Sequence, residues 1–125
     1  MDWNFRSDLP IYSQLVERIQ QAIASGVLPP GTRLSSVRDL AMEAGVNPNT
    51  MQRALQELER EGLVYANRTS GRFVTEDVSR IEAAKKARAE VLVRGFLEAM
   101  NKLGCSHEEI LALLAGKKEE DNADS

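Results

Sequence analysis

Apolar residues recur at intervals of three and four over several stretches of the chain, a spacing that places them on one face of a helix. Residues 11–25 show this spacing between a proline suited to a first helical turn and a glycine suited to a helix end. The apolar positions are Ile11, Leu15, Ile19 and Ile23. After this helix, the prolines and glycine of LPPGTR predict a short strand or extended leg over residues 27–34, with which a later hairpin can pair.

Two further helices are predicted next, joined by a short turn that begins at Gly45. Ser36 and Asp39 approximate a capping box that opens the first of them. Asn47 as N-cap and Pro48 at the first helical position open the second. Its apolar positions are Met51, Ala54, Leu55 and Leu58. Because the connection is so short, the two helices must cross steeply, as in a helix-turn-helix.

A β-hairpin follows, with predicted strands at residues 63–65 and 73–75 and a polar loop over residues 67–71. Arg68 and Arg72 lie on or beside this loop, where side chains are free to project. The order of elements therefore predicts a winged helix-turn-helix, a mostly α fold with a small β wing. Such a fold is suited to placing one helix in a groove of DNA.

The C-terminal third is predicted to be helical. Residues 77–103 lack proline and carry apolar side chains at threes and fours, which predicts one long amphipathic helix that ends at Gly104. Ser106 and Glu109 form a second capping box, which opens a shorter helix that runs to Gly116. The final residues, KKEEDNADS, are too polar to fold alone. The predicted organisation is a DNA-binding domain at 1–76, a helical dimerisation region at 77–116 and a disordered tail at 117–125.

The two C-terminal helices carry more apolar surface than they can bury on each other, which predicts a homodimer. Glycine inside a helix costs about 1 kcal/mol relative to alanine, so Gly95 suits a point where two helices approach closely. A tolerated surface glycine is the alternative. The predicted dimer contact comprises Val91, Leu92, Gly95, Phe96, Ala99, Leu103, Ile110 and Leu114.

The distribution of charge along the chain bears on DNA binding more than the net charge does. The chain of 125 residues has a net charge of -3, which argues mildly against binding to nucleic acid. Through residue 80, however, all nine basic side chains are arginine, and the five lysines lie at or beyond Lys85. The planar guanidinium suits phosphates and guanine edges better than an ammonium does. The alternative is that these arginines are ordinary solvated surface residues.

The composition argues against several other functions. There is no apolar run of about 18 residues and no signal-peptide pattern at the N-terminus, so we expect a cytoplasmic protein that does not enter a membrane. A single cysteine, Cys105, and a single histidine, His107, predict no disulfide, metal site or cofactor, and leave a redox role for Cys105 open. Because no nucleophile, base and acid set or glycine-rich phosphate loop is present, we do not expect an enzyme.

The start of the third helix carries side chains that can hydrogen-bond base edges in a major groove. These candidates are Asn47, Asn49, Thr50, Gln52 and Arg53. Arg38, on the preceding helix, faces away from the apolar positions and is a candidate phosphate contact. The alternatives are that Asn47 and Thr50 only cap the helix and that Gln52 and Arg53 form a solvated face.

The segment from Pro10 to Val74 resembles the DNA-binding domain of the GntR family of bacterial transcription regulators. The resemblance lies in IYSQLVERIQQAIASGVLPPGTRL, SVRDLAMEAGVNPNTMQRALQELEREGLV and GRFV. The family usually has proline at position 35 and arginine at position 48, where this chain has Ser35 and Pro48, and often arginine in place of Gln52. The resemblance implies DNA contacts at Arg38, Asn49, Thr50, Gln52, Arg53 and the wing glycine Gly71.

The start of the third helix is similar to that of the short YtrA-like subfamily, and the roughly 50 residues after the wing fit its length. This resemblance implies a homodimer on an inverted-repeat operator, most often acting as a repressor. Because regulators of this family commonly respond to effectors, the resemblance also suggests a further partner, an unidentified small molecule or metal bound between the C-terminal helices. An alternative function is a winged-helix protein-interaction module without DNA binding, motivated by the acidic balance and by Pro48 and Gln52.

Overall fold

A computed structural model of the chain describes the backbone of residues 1–123 and the side chains of residues 1–117. The elements within this range are α1 (Ile11–Ala24), α2 (Val37–Ala44), α3 (Pro48–Arg60), β1 (Val64–Asn67), β2 (Gly71–Val74), α4 (Val78–Lys102) and α5 (His107–Ala123). They confirm the predicted winged helix-turn-helix with helices after the wing. Two compact units form, one up to Lys85 and one from Lys86 onward. Over the described residues, every helix is too short or too polar to span a bilayer.

The core of the first unit forms where α3 packs against α1 and α2. The predicted apolar face of α3 is completely buried, and it consists of Met51, Ala54, Leu55 and Leu58, each 0% exposed. From α1 the core receives Leu15, Ile19 and Ile23. The wing closes this core with Val64 and Val74. Burial of one face on each helix therefore follows the periodicity of the sequence.

Polar caps fix where α2 and α3 begin. The Ser36 hydroxyl accepts a hydrogen bond from the Asp39 amide at 3.1 Å, and the Asn47 side-chain oxygen accepts one from the Asn49 amide at 2.7 Å. Between the two helices, Gly45 has a φ of 69°, which a side chain would strain. The predicted caps and turn are confirmed, and together they set the position of α3 relative to α2.

The wing is a two-stranded antiparallel sheet in which Val64 lies opposite Val74 and Asn67 lies opposite Gly71. Pairing therefore extends nearer to the tip than the predicted strands did. The predicted extended leg joins this sheet through an isolated bridge between Arg33 and Phe73. In support of the bridge, the Val74 amide donates to the Thr32 carbonyl and the Leu34 amide donates to the Arg72 carbonyl, each at 2.8 Å. The leg thus fixes the wing to the chain that leads into α2.

The first turns of α4 belong to the first unit. Asp77 caps the helix, since its carboxylate accepts hydrogen bonds from the Ser79 hydroxyl at 2.6 Å and the Ser79 amide at 3.1 Å. The hydroxyl hydrogen bond is the main cause that lowers the pKa of the Asp77 carboxyl below its ordinary value. Ile81 is buried in the core and Ala84 packs against it. The predicted domain boundary between residues 76 and 77 lies just before the start of α4. The core of the first unit, however, continues into the first turns of this helix.

In the second unit, the predicted capping box at the start of α5 is confirmed. The Glu109 amide donates to the Ser106 hydroxyl at 3.2 Å, and the Ser106 amide donates to the Glu109 carboxylate at 3.1 Å. The predicted helix end at Gly116 is wrong, because α5 continues to Ala123. The lysine, glutamate and alanine residues after Gly116 favour a helix, so a single glycine there does not end it. The rest of the predicted tail, residues 124–125, lies outside the described residues.

The central position of Leu55 generates a stability prediction. Leu55→Ala should lower the free energy of unfolding by about 2–5 kcal/mol, because it leaves a cavity where α3 meets the core. Urea denaturation followed by circular dichroism measures the change. Met42→Ala, at a side chain 73% exposed on α2, should change stability by no more than about 0.5 kcal/mol. Equal losses in the two variants would contradict the assignment of the buried face of α3.

Candidate nucleic-acid interface

The outward face of α3 is determined by its buried face. With Met51 and Leu55 fully buried, the polar residues of the first two turns lie toward solvent. Of the predicted base contacts, those that are exposed are Asn47, Asn49 and Arg53, and those that are half-buried are Thr50 and Gln52. The structure therefore brings the five predicted side chains together along the start of one helix.

The nine arginines of the first unit fall into two groups. Five have a nitrogen within 4.0 Å of a carboxylate oxygen, and these are Arg6, Arg18, Arg60, Arg72 and Arg80. Among the side chains that the structure describes, the other four have no such partner, and these are Arg33, Arg38, Arg53 and Arg68. All four are exposed, and they lie on the extended leg, α2, α3 and the wing loop. Their charges are therefore available to an external anion such as DNA phosphate.

Arg53 has an aromatic neighbour instead of a carboxylate. Its guanidinium carbon lies 4.6 Å from the centroid of the Tyr12 ring, which projects from α1. One turn further along α3, the Glu57 carboxylate accepts a hydrogen bond from Arg60 at 2.6 Å. This hydrogen bond is the main cause that raises the pKa of Arg60 above its ordinary value. Glu57 is thus engaged away from Arg53.

Arg72 does not project freely from the wing as the sequence suggested. Its Nε donates a hydrogen bond to the Glu59 carboxylate at 2.5 Å, and its side chain is only 21% exposed. Because Glu59 lies on α3, this ion pair ties β2 to that helix. Arg68, on the loop, is exposed as expected. The structure therefore places Arg72 in the framework of the site and leaves Arg68 at its surface.

Arg33 is a candidate contact that the sequence reasoning missed. It is exposed on the extended leg and lies beside Gly71 at the start of β2. A Cβ at Gly71 would lie 3.4 Å from the Arg33 Nε, and the φ of 103° at Gly71 is one that side chains disfavour. The positive φ therefore favours glycine at this position, and Arg33 lies within van der Waals distance of it. The sequence could have indicated this contact, because Arg33 lies within a segment that was predicted to pair with the hairpin.

The predicted dimer contact is mostly accessible in the single chain. Its large apolar members are between 41% and 77% exposed, and these are Val91, Leu92, Phe96, Leu103 and Leu114. Gly95 and Ala99 are also exposed, and among the described residues a Cβ at Gly95 would meet nothing within 4 Å beyond its chain neighbours and the adjacent backbone of its own helix. Ile110 is the exception, because it is only 2% exposed and so offers no surface to a partner.

Cys105 lies at the end of α4 in the turn toward α5. Its amide donates to the Met100 carbonyl at 3.2 Å, and its thiol is free and partly buried. Within the described part of the chain, no group of three histidine, cysteine, aspartate or glutamate side chains is arranged to hold a metal ion.

Comparison with known proteins places the chain among transcription regulators. The model of a family described as bacterial regulatory proteins, gntR family, matches residues 11–74, from the start of α1 to the end of β2. The Bacillus subtilis protein named uncharacterized HTH-type transcriptional regulator YhcF is 38% identical over 111 residues, covering 89% of this chain and 92% of that protein. The HTH-type transcriptional repressor YtrA of the same organism is 40% identical over 72 residues, covering 58% of this chain and 55% of that protein.

A solved structure extends the similarity to the C-terminal helices. The structure of a GntR family transcriptional regulator from Listeria monocytogenes aligns with a TM-score of 0.85 and 40% sequence identity. The alignment covers 90% of this chain and 98% of that one. The structural similarity therefore covers most of the chain and is not limited to the helix-turn-helix and wing.

Proposed function

We propose that the chain, which belongs to the GntR family of bacterial transcription regulators and is a DNA-binding regulator, acts as a homodimeric repressor on a near-palindromic operator. The observation that carries the proposal is that four exposed arginines, on the extended leg, α2, α3 and the wing loop, have no carboxylate partner among the described side chains. Because a bacterial chromosome lies in the cytoplasm, the proposed role places the protein there.

In the proposed complex, the start of α3 enters the major groove. Asn49, Gln52 and Arg53 contact base edges there, because amide and guanidinium groups match the donors and acceptors of adenine and guanine. Asn47 and Thr50, at the first turn, approach the adjacent backbone. The exposure of Asn49 and Arg53, which lie four residues apart on α3, supports this placement.

The remaining arginines are assigned to the phosphate backbone. Arg38 contacts a phosphate beside the groove from α2, and Arg68 contacts the backbone from the wing loop. Arg33 also contacts the DNA backbone, from the extended leg. Gly71 permits the wing backbone to approach DNA closely. The overall charge of -3 does not oppose this arrangement, because it is a sum over the whole chain, whereas binding depends on the charges at the proposed contact.

The exposed apolar residues of α4 and α5 form the proposed dimer contact. On α4, Leu92, Phe96 and Leu103 recur at helical spacing and are all exposed, and such apolar surface on a single chain is typical of an interaction site. A two-fold dimer presents two copies of α3 to sites about one duplex turn apart, which requires an operator with inverted symmetry. A small molecule that changed this contact would alter the spacing between the two α3 helices.

Repression is the proposed direction of control. The relative YtrA, which is 40% identical over 72 residues, is named a transcriptional repressor. A dimer bound to its operator can act by occupying DNA that RNA polymerase needs.

Selection from a random duplex library tests the site assignment. The wild-type protein should enrich a sequence with inverted symmetry. On that duplex, Arg53→Ala should lower affinity by roughly 1–3 kcal/mol and relax base preference, whereas Arg38→Ala should weaken selected and scrambled duplexes alike. Binding is measured by fluorescence anisotropy at fixed salt. Failure of the wild type to enrich any duplex would instead favour a protein-interaction module.

The dimer has its own test. Phe96→Glu should convert the protein from dimer to monomer in sedimentation equilibrium, because it places a charge within an apolar contact. Val27→Glu is the matched control, since Val27 is an exposed apolar residue of the first unit, 62% exposed, outside the proposed contact. A wild-type monomer, or an unchanged dimer in Phe96→Glu, would refute the assigned surface.

A further inference from the structure

The contact between Arg53 and Tyr12 connects α3, the helix proposed to enter the major groove, to a residue outside the helix-turn-helix. Tyr12 lies in the first turn of α1, is partly buried, and packs against the hydrophobic core. Arg53 is exposed on α3, with its guanidinium carbon 4.6 Å from the centre of the tyrosine ring. One member of the pair is therefore held by the core while the other remains accessible to a ligand.

The neighbouring charges favour this contact over an ion pair. Glu57 lies four residues after Arg53, a spacing at which opposite charges commonly pair on a helix. Its carboxylate instead accepts a hydrogen bond from Arg60 at 2.6 Å, and its side chain is only 20% exposed. Arg60 thereby occupies the carboxylate that could otherwise draw the Arg53 guanidinium along the helix. Arg53 keeps both its charge and its N–H donors.

We propose that Tyr12 is a positioning residue that holds the Arg53 guanidinium in place for DNA recognition. The inference rests on the proposed function, in which Arg53 contacts a base. A guanidinium over an aromatic ring is restricted in position, while its N–H donors lie in its own plane and remain free to hydrogen-bond. Ordering a long side chain before binding reduces the entropy lost on association. Sequence preference then depends on a side chain of α1, outside the helix that carries Arg53.

Two substitutions at Tyr12 test the proposal on the full-length protein. The probes are the duplex that the wild type selects from a random library and a scrambled duplex of the same length. Tyr12→Leu, which keeps an apolar side chain against the core, should weaken binding to the selected duplex by about 2- to 5-fold. It should change binding to the scrambled duplex much less. Tyr12→Phe retains the ring and should restore wild-type affinity.

A double-mutant cycle separates positioning from general stability. In an Arg53→Ala background, Tyr12→Leu should cause no further loss of affinity, because the residue through which Tyr12 acts is absent. An equal loss in both backgrounds would overturn the inference, as would unchanged or tighter binding by Tyr12→Leu alone. Failure of the wild type to select any duplex would instead overturn the proposed function, and this inference with it.

A measurement on the DNA-free wild type keeps the proposal testable even if Tyr12→Leu does not fold. The δ-methylene protons of Arg53 should show an upfield ring-current shift in the NMR spectrum. Tyr12→Phe should preserve that shift. Arg53 resonances at random-coil positions in the wild type would show that the ring does not hold the guanidinium, and would overturn the inference.

Discussion

Burial of one apolar face of α3 is the constraint on which the rest of the site depends. Met51, Leu55 and Leu58 are completely enclosed, and exposing any such side chain would cost about 1.5–3 kcal/mol. Because side chains on a helix repeat every 3.6 residues, fixing this face also fixes which residues face solvent. Asn49 and Arg53 are thus turned outward by core packing. Core packing thus sets the direction of the polar face, and the Tyr12 ring lies against the Arg53 guanidinium within it.

The arginines show how an acidic protein can carry a surface for DNA. Ion pairs within the chain neutralise some of them, as with Arg72 and Glu59, which also connect the wing to α3. A partly exposed pair of this kind contributes little to stability, so its main effect is on geometry. The arginines without a carboxylate partner keep their charge at the surface. Net charge alone therefore says little about binding, because the distribution of partners decides which charges remain available.

Local features of the fold could be predicted because their causes lie within a few residues of each other. The caps at Ser36, Asn47 and Ser106 each involve a backbone amide two or three residues away. The turn at Gly45 has an equally local cause, a positive φ that glycine tolerates. Helix periodicity likewise predicted the buried face of α3.

Features that depend on contacts between elements could not be predicted from periodicity. The partner of Arg72 lies on α3, and the partner of Arg53 lies on α1, so neither pair leaves a signal in local spacing. Burial of Ile110 within one chain was missed for the same reason, since an apolar residue at helical spacing can face either a core or a partner. The continuation of α5 beyond Gly116 shows that a glycine stops a helix only where the following residues favour leaving it.

The most direct test of this account is the salt dependence of DNA binding, compared between arginines that have a carboxylate partner and arginines that do not. On a mixed-sequence duplex, Arg33→Ala and Arg68→Ala should each reduce the slope of log affinity against log salt by about 1, because each removes one phosphate contact. Arg6→Ala, which removes an exposed arginine paired with Asp8 at 2.6 Å, should leave the slope unchanged. Equal reductions in all three variants, or none in any, would contradict the claim that internal pairing selects the arginines that bind DNA.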